Sequence, residues 1–164
     1  SDLSIGIVGF GAIGKDIFTK IKVFKPKKIY IYDIVDSNKY KNYYTDLDNL
    51  LENSDLISIN IPLNNNTHDL FNSKVFDKMK KRPYIINTSR GGIINENDLI
   101  SAIKKKKISG AALDVFEKEP YPKRGGLTKL DNLILTPHIA SNTFNFRSNV
   151  ENAICKQINI DSNE

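Results

Sequence analysis

The sequence predicts an α/β fold: a doubly wound parallel sheet with helices on both faces, in three α/β/α layers. Three observations carry that expectation. Short apolar runs alternate with segments of helical periodicity along the chain, which implies a parallel sheet covered on both sides and right-handed crossovers. The first apolar run passes at once into a glycine-rich turn, Gly9-Phe10-Gly11-Ala12-Ile13-Gly14, and then into a helical pattern. The second apolar run ends on an acid, Asp33, which lies 33 − 14 = 19 residues beyond Gly14.

Taken in order, residues 4–8 are expected to form a strand and residues 12–24 a helix, its apolar side marked by Ile13, Ile17, Ile21 and Phe24. Strand 28–32 follows, then a short helix over 46–53 and strand 56–60. Helix 73–80 leads to strand 84–87, and helix 96–106 to strands 109–113 and 132–135. A last helix is expected over 142–158. Asn64-Asn65-Asn66 reads as a polar loop and Tyr121 to Gly126 as a Pro/Gly-rich one.

A chain of 164 residues suits one domain with a real core, and 40% hydrophobic with 26% charged residues is ordinary for a globular chain. No apolar run approaches membrane-spanning length and the N-terminus lacks a signal-peptide layout, so a cytoplasmic protein is expected. The single cysteine, Cys155, excludes an internal disulfide and is expected to be a small buried hydrophobe. A net charge of +5 invites a nucleic-acid reading. The lysines argue against it, because Lys104 to Lys107, and Lys78, Lys80, Lys81 and Arg82, fall at expected helix C-termini, where cations suit the helix dipole. No nucleic acid, membrane or metal is expected as a partner. The chain opens at Ser1 and enters its first strand almost immediately, so no second domain is expected within these residues. The whole of 1–164 is expected to be a single nucleotide-binding domain, either excised from a longer enzyme or a natural binding module.

The glycine turn has the strand–loop–helix context that gives its spacing meaning. Gly9 suits the tight turn, Gly11 lets a pyrophosphate approach the backbone, and Gly14 lets helix and strand pack closely. The helix N-terminus then offers N–H groups and partial positive charge to phosphates. Asp33 stands where an acid meets the adenosine ribose hydroxyls and would repel a 2′-phosphate, which favours NAD over NADP. Ile61-Pro62-Leu63, leaving the third strand, would border the adenosine side.

Three polar residues sit where apolar strands stop: Arg90, Glu119 and His138. Singly, each has a plain reading: an arginine on a surface turn, a solvated loop acid, a capping histidine. Together they suit one reaction. Removing hydride from an alcohol needs a base for the hydroxyl proton, which histidine provides near neutral pH. A carboxylate orients the imidazole, and an arginine fork captures a substrate carboxylate.

Three extended motifs carry a resemblance: Asn87-Thr88-Ser89-Arg90-Gly91-Gly92-Ile93-Ile94-Asn95-Glu96, Gly110 through Asp114-Val115-Phe116-Glu117-Lys118-Glu119-Pro120, and Leu135-Thr136-Pro137-His138-Ile139-Ala140. In this order and spacing the chain, from Ile5 to about Ala153, closely resembles the cofactor domain of the D-isomer-specific 2-hydroxyacid dehydrogenase family, a Rossmann domain. The resemblance implies that Arg90 binds the substrate's carboxylate and carbonyl oxygen, Glu119 supports the histidine, and His138 is the acid/base. It implies that Thr88, Ser89 and Asp114 flank the nicotinamide, Asp114 taking its carboxamide. Ala12 and Ile13 would meet the pyrophosphate and Asp33 the adenosine ribose, Ile61, Pro62 and Thr67 would be further cofactor-binding residues, and Ala140 and Ser141 would lie beside the nicotinamide side of the cleft. Asn60 replaces a common histidine, and Asn64 a common threonine. The implied function is NAD-dependent interconversion of D-2-hydroxy and 2-oxo acids, in a parent enzyme expected to be a homodimer. Glu119 before Pro120 disfavours the formate-oxidising branch, which carries an amide there. Two rivals remain at this stage: a non-catalytic NAD-responsive binding protein of the corepressor kind, and a different Rossmann enzyme sharing only the nucleotide loop.

Overall fold

Ile7 and Val8 are neighbours in the first strand, their side chains point to opposite faces, and both are fully buried. That is the signature of a sheet covered on both sides. The computed structural model describes residues 2–35 and 37–161. Six strands form one parallel sheet: β1 (Ser4–Val8), β2 (Lys28–Tyr32), β3 (Leu56–Ile59), β4 (Tyr84–Asn87), β5 (Gly110–Leu113) and β6 (Leu133–Leu135). Their order is β2-β1-β3-β4-β5-β6, so the winding direction reverses between β1 and β3. In open parallel sheets ligands bind at that reversal, beyond the carboxyl ends of the strands.

Helices α1 (Ala12–Lys22), α2 (Leu47–Asn53), α3 (Ser73–Asp77) and α4 (Glu96–Lys104) flank the sheet, and α5 (Phe144–Asp161) follows β6. One core cluster joins Ile7, Ile29 and Ile31 to Phe10 and Phe18, and a larger one, built on Ile57, Ile59, Ile85 and Leu113, takes in Leu50, Phe76 and Leu99 from α2, α3 and α4. Helices α2, α3 and α4 start where the sequence supplies a side-chain acceptor: Asp46 takes the N–H of Asn49, Asn72 that of Lys74, and Asn95 that of Asp98.

The expected elements are all present, α1 to α4 shorter than expected and α5 shifted to Phe144–Asp161. α1 stops at Lys22 rather than residue 24, because Lys25 precedes Pro26 and takes a left-handed φ of +47°. Phe24 lies beyond the helix and is exposed, Ile13 is exposed in its first turn, and Phe18 supplies the helix's buried aromatic. α3 closes at Asp77 and α4 at Lys104, ahead of left-handed Arg82 and Lys106. A 3-10 turn over Asn38–Tyr43 was not anticipated; Tyr40 packs edge-on against Phe10 and Phe18, at 4.9 and 5.4 Å between centroids.

The cationic run after α3 is not simply solvated. Lys78 pairs with Asp48, Lys80 with Glu52 and Lys81 with Asp55, at 2.6, 2.8 and 3.1 Å, so its charge is balanced locally. Lys107 pairs with Asp77. Such exposed pairs contribute about 0–1 kcal/mol each. Cys155 overturns its expectation: it is exposed, because α5 leaves Phe144, Phe146, Val150 and Ile154 exposed as well and adds no described residue to either core cluster. Among the described residues no helix is long and apolar enough to cross a membrane.

Candidate functional site

The glycine turn leaving β1 separates what the fold needs from what a ligand needs. Gly9 has φ +91°, and its N–H donates to the Tyr32 carbonyl at 2.8 Å, tying the turn to β2. A Cβ on Gly14 would lie 2.2 Å from the Gly9 carbonyl oxygen, so helix and turn touch without a side chain between them. A Cβ on Gly11 would meet nothing within 4 Å. Gly11 also begins α1 with no side chain capping it and no acid in the first turn, which leaves the helix N–H groups free for an anion. Ala12 and Ile13, both exposed, are the first residues of that turn.

Asp33, at the end of β2, is fastened to the same turn: one carboxylate oxygen accepts the N–H of Phe10 at 2.5 Å and the other that of Val35 at 2.9 Å. Each oxygen keeps a second lone pair for a ribose hydroxyl. Free helix N–H groups, an open face at Gly11 and an oriented carboxylate fit a dinucleotide.

From there a groove of about 550 Å³ runs past Ile13, Asn60, Ile61, Pro62 and Leu63 to Thr88, Ser89 and Arg90. Thr67 does not line it. Its hydroxyl donates to the Pro62 carbonyl at 2.6 Å and accepts the Asn64 N–H at 2.8 Å, so it stiffens the Pro62 wall from behind. Asn87, at the end of β4 and 1% exposed, shapes the next loop: its amide oxygen accepts the Ser89 N–H and hydroxyl at 3.0 and 2.7 Å, and its amide donates to the Arg90 carbonyl at 2.9 Å. Arg90 Nη1 donates to the Ser89 carbonyl at 2.6 Å.

Arg90 and Leu63 also border a second cavity of about 580 Å³, which brings Arg90, Glu119 and His138 together. His138 Nδ1 lies 2.7 Å from Glu119 Oε2, while Glu119 Oε1 accepts the Phe116 N–H at 3.1 Å. The hydrogen bond with His138, then that from Phe116, hold the Glu119 carboxyl below its ordinary range against a smaller desolvation cost. With Nδ1 engaged, Nε2 is the nitrogen left to exchange a proton.

His138 itself has φ +55°, a strained conformation for a non-glycine residue. Asp114 steadies it. This carboxylate, 4% exposed, accepts the Thr136 hydroxyl at 2.5 Å and the N–H groups of Ile139 and Ala140 at 2.8 and 2.7 Å. Burial alone would raise its pKa; the three donors and the neighbouring imidazole outweigh burial and lower it. Asp114 borders neither cavity, so it lies beneath the histidine loop rather than openly beside a nicotinamide. Ala140 and Ser141 follow on that loop, both exposed.

Sequence reasoning overlooked two features. Asn87 and Asp114 organise loops from below, and His68 borders the Arg90 cavity, paired to Asp69 at 3.2 Å. The available signal for His68 was that the chain has only 2 histidines.

Residues 1–140 match the family described as D-isomer specific 2-hydroxyacid dehydrogenase, NAD binding domain. A glyoxylate reductase of Thermofilum pendens is 46% identical over 149 residues, covering 88% of this chain and 44% of that protein. Among solved structures, D-lactate dehydrogenase of Lactobacillus jensenii with NAD+ matches at a TM-score of 0.86 and 28% identity, over 99% of this chain and 53% of that one. D-lactate dehydrogenase of Aquifex aeolicus, complexed with NAD and lactic acid, matches at 0.85 and 32%, over 96% and 52%. The chain thus spans about half the length of these relatives. It belongs to the D-isomer-specific 2-hydroxyacid dehydrogenase family, as the NAD-binding domain.

Proposed function

We propose that the protein carrying this domain is an NAD-dependent oxidoreductase that interconverts a D-2-hydroxy acid and a 2-oxo acid. One observation supports this above the others: Arg90, Glu119 and His138, far apart in sequence, border one cavity that shares Leu63 and Arg90 with the groove lined by Ile13 of the glycine turn. Bound NAD supplies the hydride chemistry. Ala12, Ile13 and the N–H groups of α1 hold its pyrophosphate, Asp33 its adenosine ribose, and Ile61 and Pro62 the adenosine side of the groove. Thr88, Ser89, Ala140 and Ser141 border the nicotinamide end.

In the direction of reduction, the Arg90 guanidinium grips the substrate carboxylate and polarises the reacting carbonyl oxygen. His138 gives that oxygen a proton from Nε2, and Glu119 stabilises the imidazolium that precedes transfer. In oxidation the same nitrogen takes the hydroxyl proton. Asp33 sets the preference for NAD over NADP. The far wall of the substrate cleft belongs to a domain outside these residues, and the parent enzyme works as a cytoplasmic homodimer.

NADH oxidation by the full-length protein against a panel of 2-oxo acids tests the reading, with NADH affinity of the 164-residue chain measured by titration calorimetry. The chain is expected to bind NADH and to turn over very slowly, since half the cleft and its exclusion of water are missing. A full-length protein that binds NADH but reduces no 2-oxo acid would overturn the activity.

A further inference from the structure

Two glutamates face each other beside the reactive cavity without a cation between them. The N–H of Glu96, in the first turn of α4, donates to Glu117 Oε1 at 2.9 Å, and the N–H of Glu117 donates back to Glu96 Oε1 at 2.8 Å. Neither carboxylate forms an ion pair among the described residues. Partial burial, and the negative charge of Glu117, raise the Glu96 carboxyl above its ordinary value, although the Glu117 N–H works the other way. The arrangement costs electrostatic energy at neutral pH. What it secures is mechanical: two charge-assisted hydrogen bonds fix one peptide against the end of a helix.

That peptide joins the two halves of the site. A Cβ on Gly91 would lie 1.9 Å from the Phe116 carbonyl carbon and 2.5 Å from Glu117 N, so the residue after Arg90 rests directly on the Phe116–Glu117 peptide. On its other side the Phe116 N–H donates to Glu119, which holds His138. The Phe116–Glu117 peptide is therefore pressed by the arginine loop and clamped by α4 through Glu96, and the adjoining Val115–Phe116 peptide is bonded to the carboxylate that orients the imidazole.

We propose that Glu96 and Glu117 are positioning residues for the reaction: their reciprocal carboxylate–amide clamp sets the distance and angle between Arg90 and the Glu119–His138 pair. The role assigned to that pair rests on the activity proposed above; the clamp itself is read from geometry. Glu117→Ala removes the acceptor for Glu96 N–H and leaves the loop held by one bond in place of two. Glu117→Gln keeps an acceptor oxygen at the same place.

The test follows the Glu119 carboxyl by 13C NMR titration in the 164-residue chain, alongside NADH affinity. The nearby groups that act on Glu119 are His138 and Asp114. In the unmodified chain Glu119 titrates below the ordinary glutamate range. In Glu117→Ala it moves up toward that range while NADH affinity holds, and Glu117→Gln restores it. In the full-length protein Glu117→Ala lowers kcat by on the order of tenfold to a hundredfold, as misplacement of a reacting group does, with the KM for NADH unchanged. Glu96→Ala, which spares the bond to its own backbone N–H, moves Glu119 in the same direction and less far. Should Glu117→Ala not fold, Glu96→Ala decides alone. A folded Glu96→Ala or Glu117→Ala chain in which Glu119 titrates as before overturns the clamp. Absence of 2-oxo acid reduction by the unmodified full-length protein would overturn the activity and leave the NMR result standing, so the two failures are distinct.

Discussion

The buried carboxylate of Asp114 accepts the backbone N–H of Ile139, 25 residues later, at 2.8 Å. Between Thr136 and Ala140, the other two residues bonded to this carboxylate, the chain bends through the left-handed conformation of His138, which costs roughly 1–2 kcal/mol for a residue with a Cβ. Three hydrogen bonds to one carboxylate offset that cost and hold the bend.

Asp114→Asn should therefore destabilise the domain by about 1–3 kcal/mol, because an amide NH2 must face a donor where a carboxylate oxygen stood. Urea unfolding at neutral pH measures it. The same variant carries a pH signature. Asp114 and Glu119 have folded pKa values below their unfolded ones of 3.8 and 4.5, so their stabilisation is complete above those values and is lost as pH falls through the lower folded ones. Glu96 runs the opposite way: its folded pKa is raised above 4.5, so ionisation on going up through that region costs stability. Replacing Asp114 should flatten the acid limb of the stability profile; an unchanged limb would contradict the assignment.

The glycine turn yields a paired expectation. Gly11→Ala has room for its methyl group and an ordinary φ of −71°, so unfolding free energy should change by less than about 0.5 kcal/mol while NADH affinity drops roughly tenfold or more, near 1.4 kcal/mol. Gly14→Ala meets the Gly9 carbonyl oxygen and should lose about 1–3 kcal/mol of stability together with binding. Thermal shifts with and without NADH separate the two. Equal behaviour of both variants would mean that Gly11 faces no phosphate.

Asp33→Ser should raise the affinity for NADPH relative to NADH, since a neutral hydroxyl no longer repels a 2′-phosphate. It also deprives the Phe10 and Val35 N–H groups of their acceptor, costing roughly 1 kcal/mol of stability. Fluorescence titration with both cofactors gives the ratio, and a ratio equal to that of the parent would remove Asp33 from the ribose site.

For the imidazole, His138→Asn is the informative replacement, because asparagine tolerates the left-handed backbone that alanine strains. In the full-length protein kcat should fall by on the order of a hundredfold to ten-thousandfold, the usual span for a lost proton-transfer group, with NADH affinity retained. Equal losses in turnover and binding would assign the histidine to holding the cofactor instead.

Hydrophobic patterning made the sheet legible: β1 to β6 stand where apolar runs stand, and Asp33, Arg90, Glu119 and His138 were visible as polar residues where those runs stop. Patterning says nothing about whether such a residue points out to a ligand or back into its loop. Asn87 and Asp114 stand at strand ends as the others do, yet both turn inward and bond the backbone. Thr67 likewise uses its hydroxyl on Pro62 and Asn64. The Asn38–Tyr43 turn escaped notice because its anchors are tyrosines spaced among lysines and asparagines, with no apolar period. Contacts such as Glu96 with Glu117, 21 residues apart, exist only once β4 and β5 are side by side.

β6, three residues long and at the sheet's edge, has a further meaning for how the molecule comes into being. It is the last of the six strands to leave the ribosome, and parallel pairing waits on a long crossover before contacts reward it. The loop that carries His138 follows this strand directly, so its bend over Asp114 is set only once β6 has paired with β5.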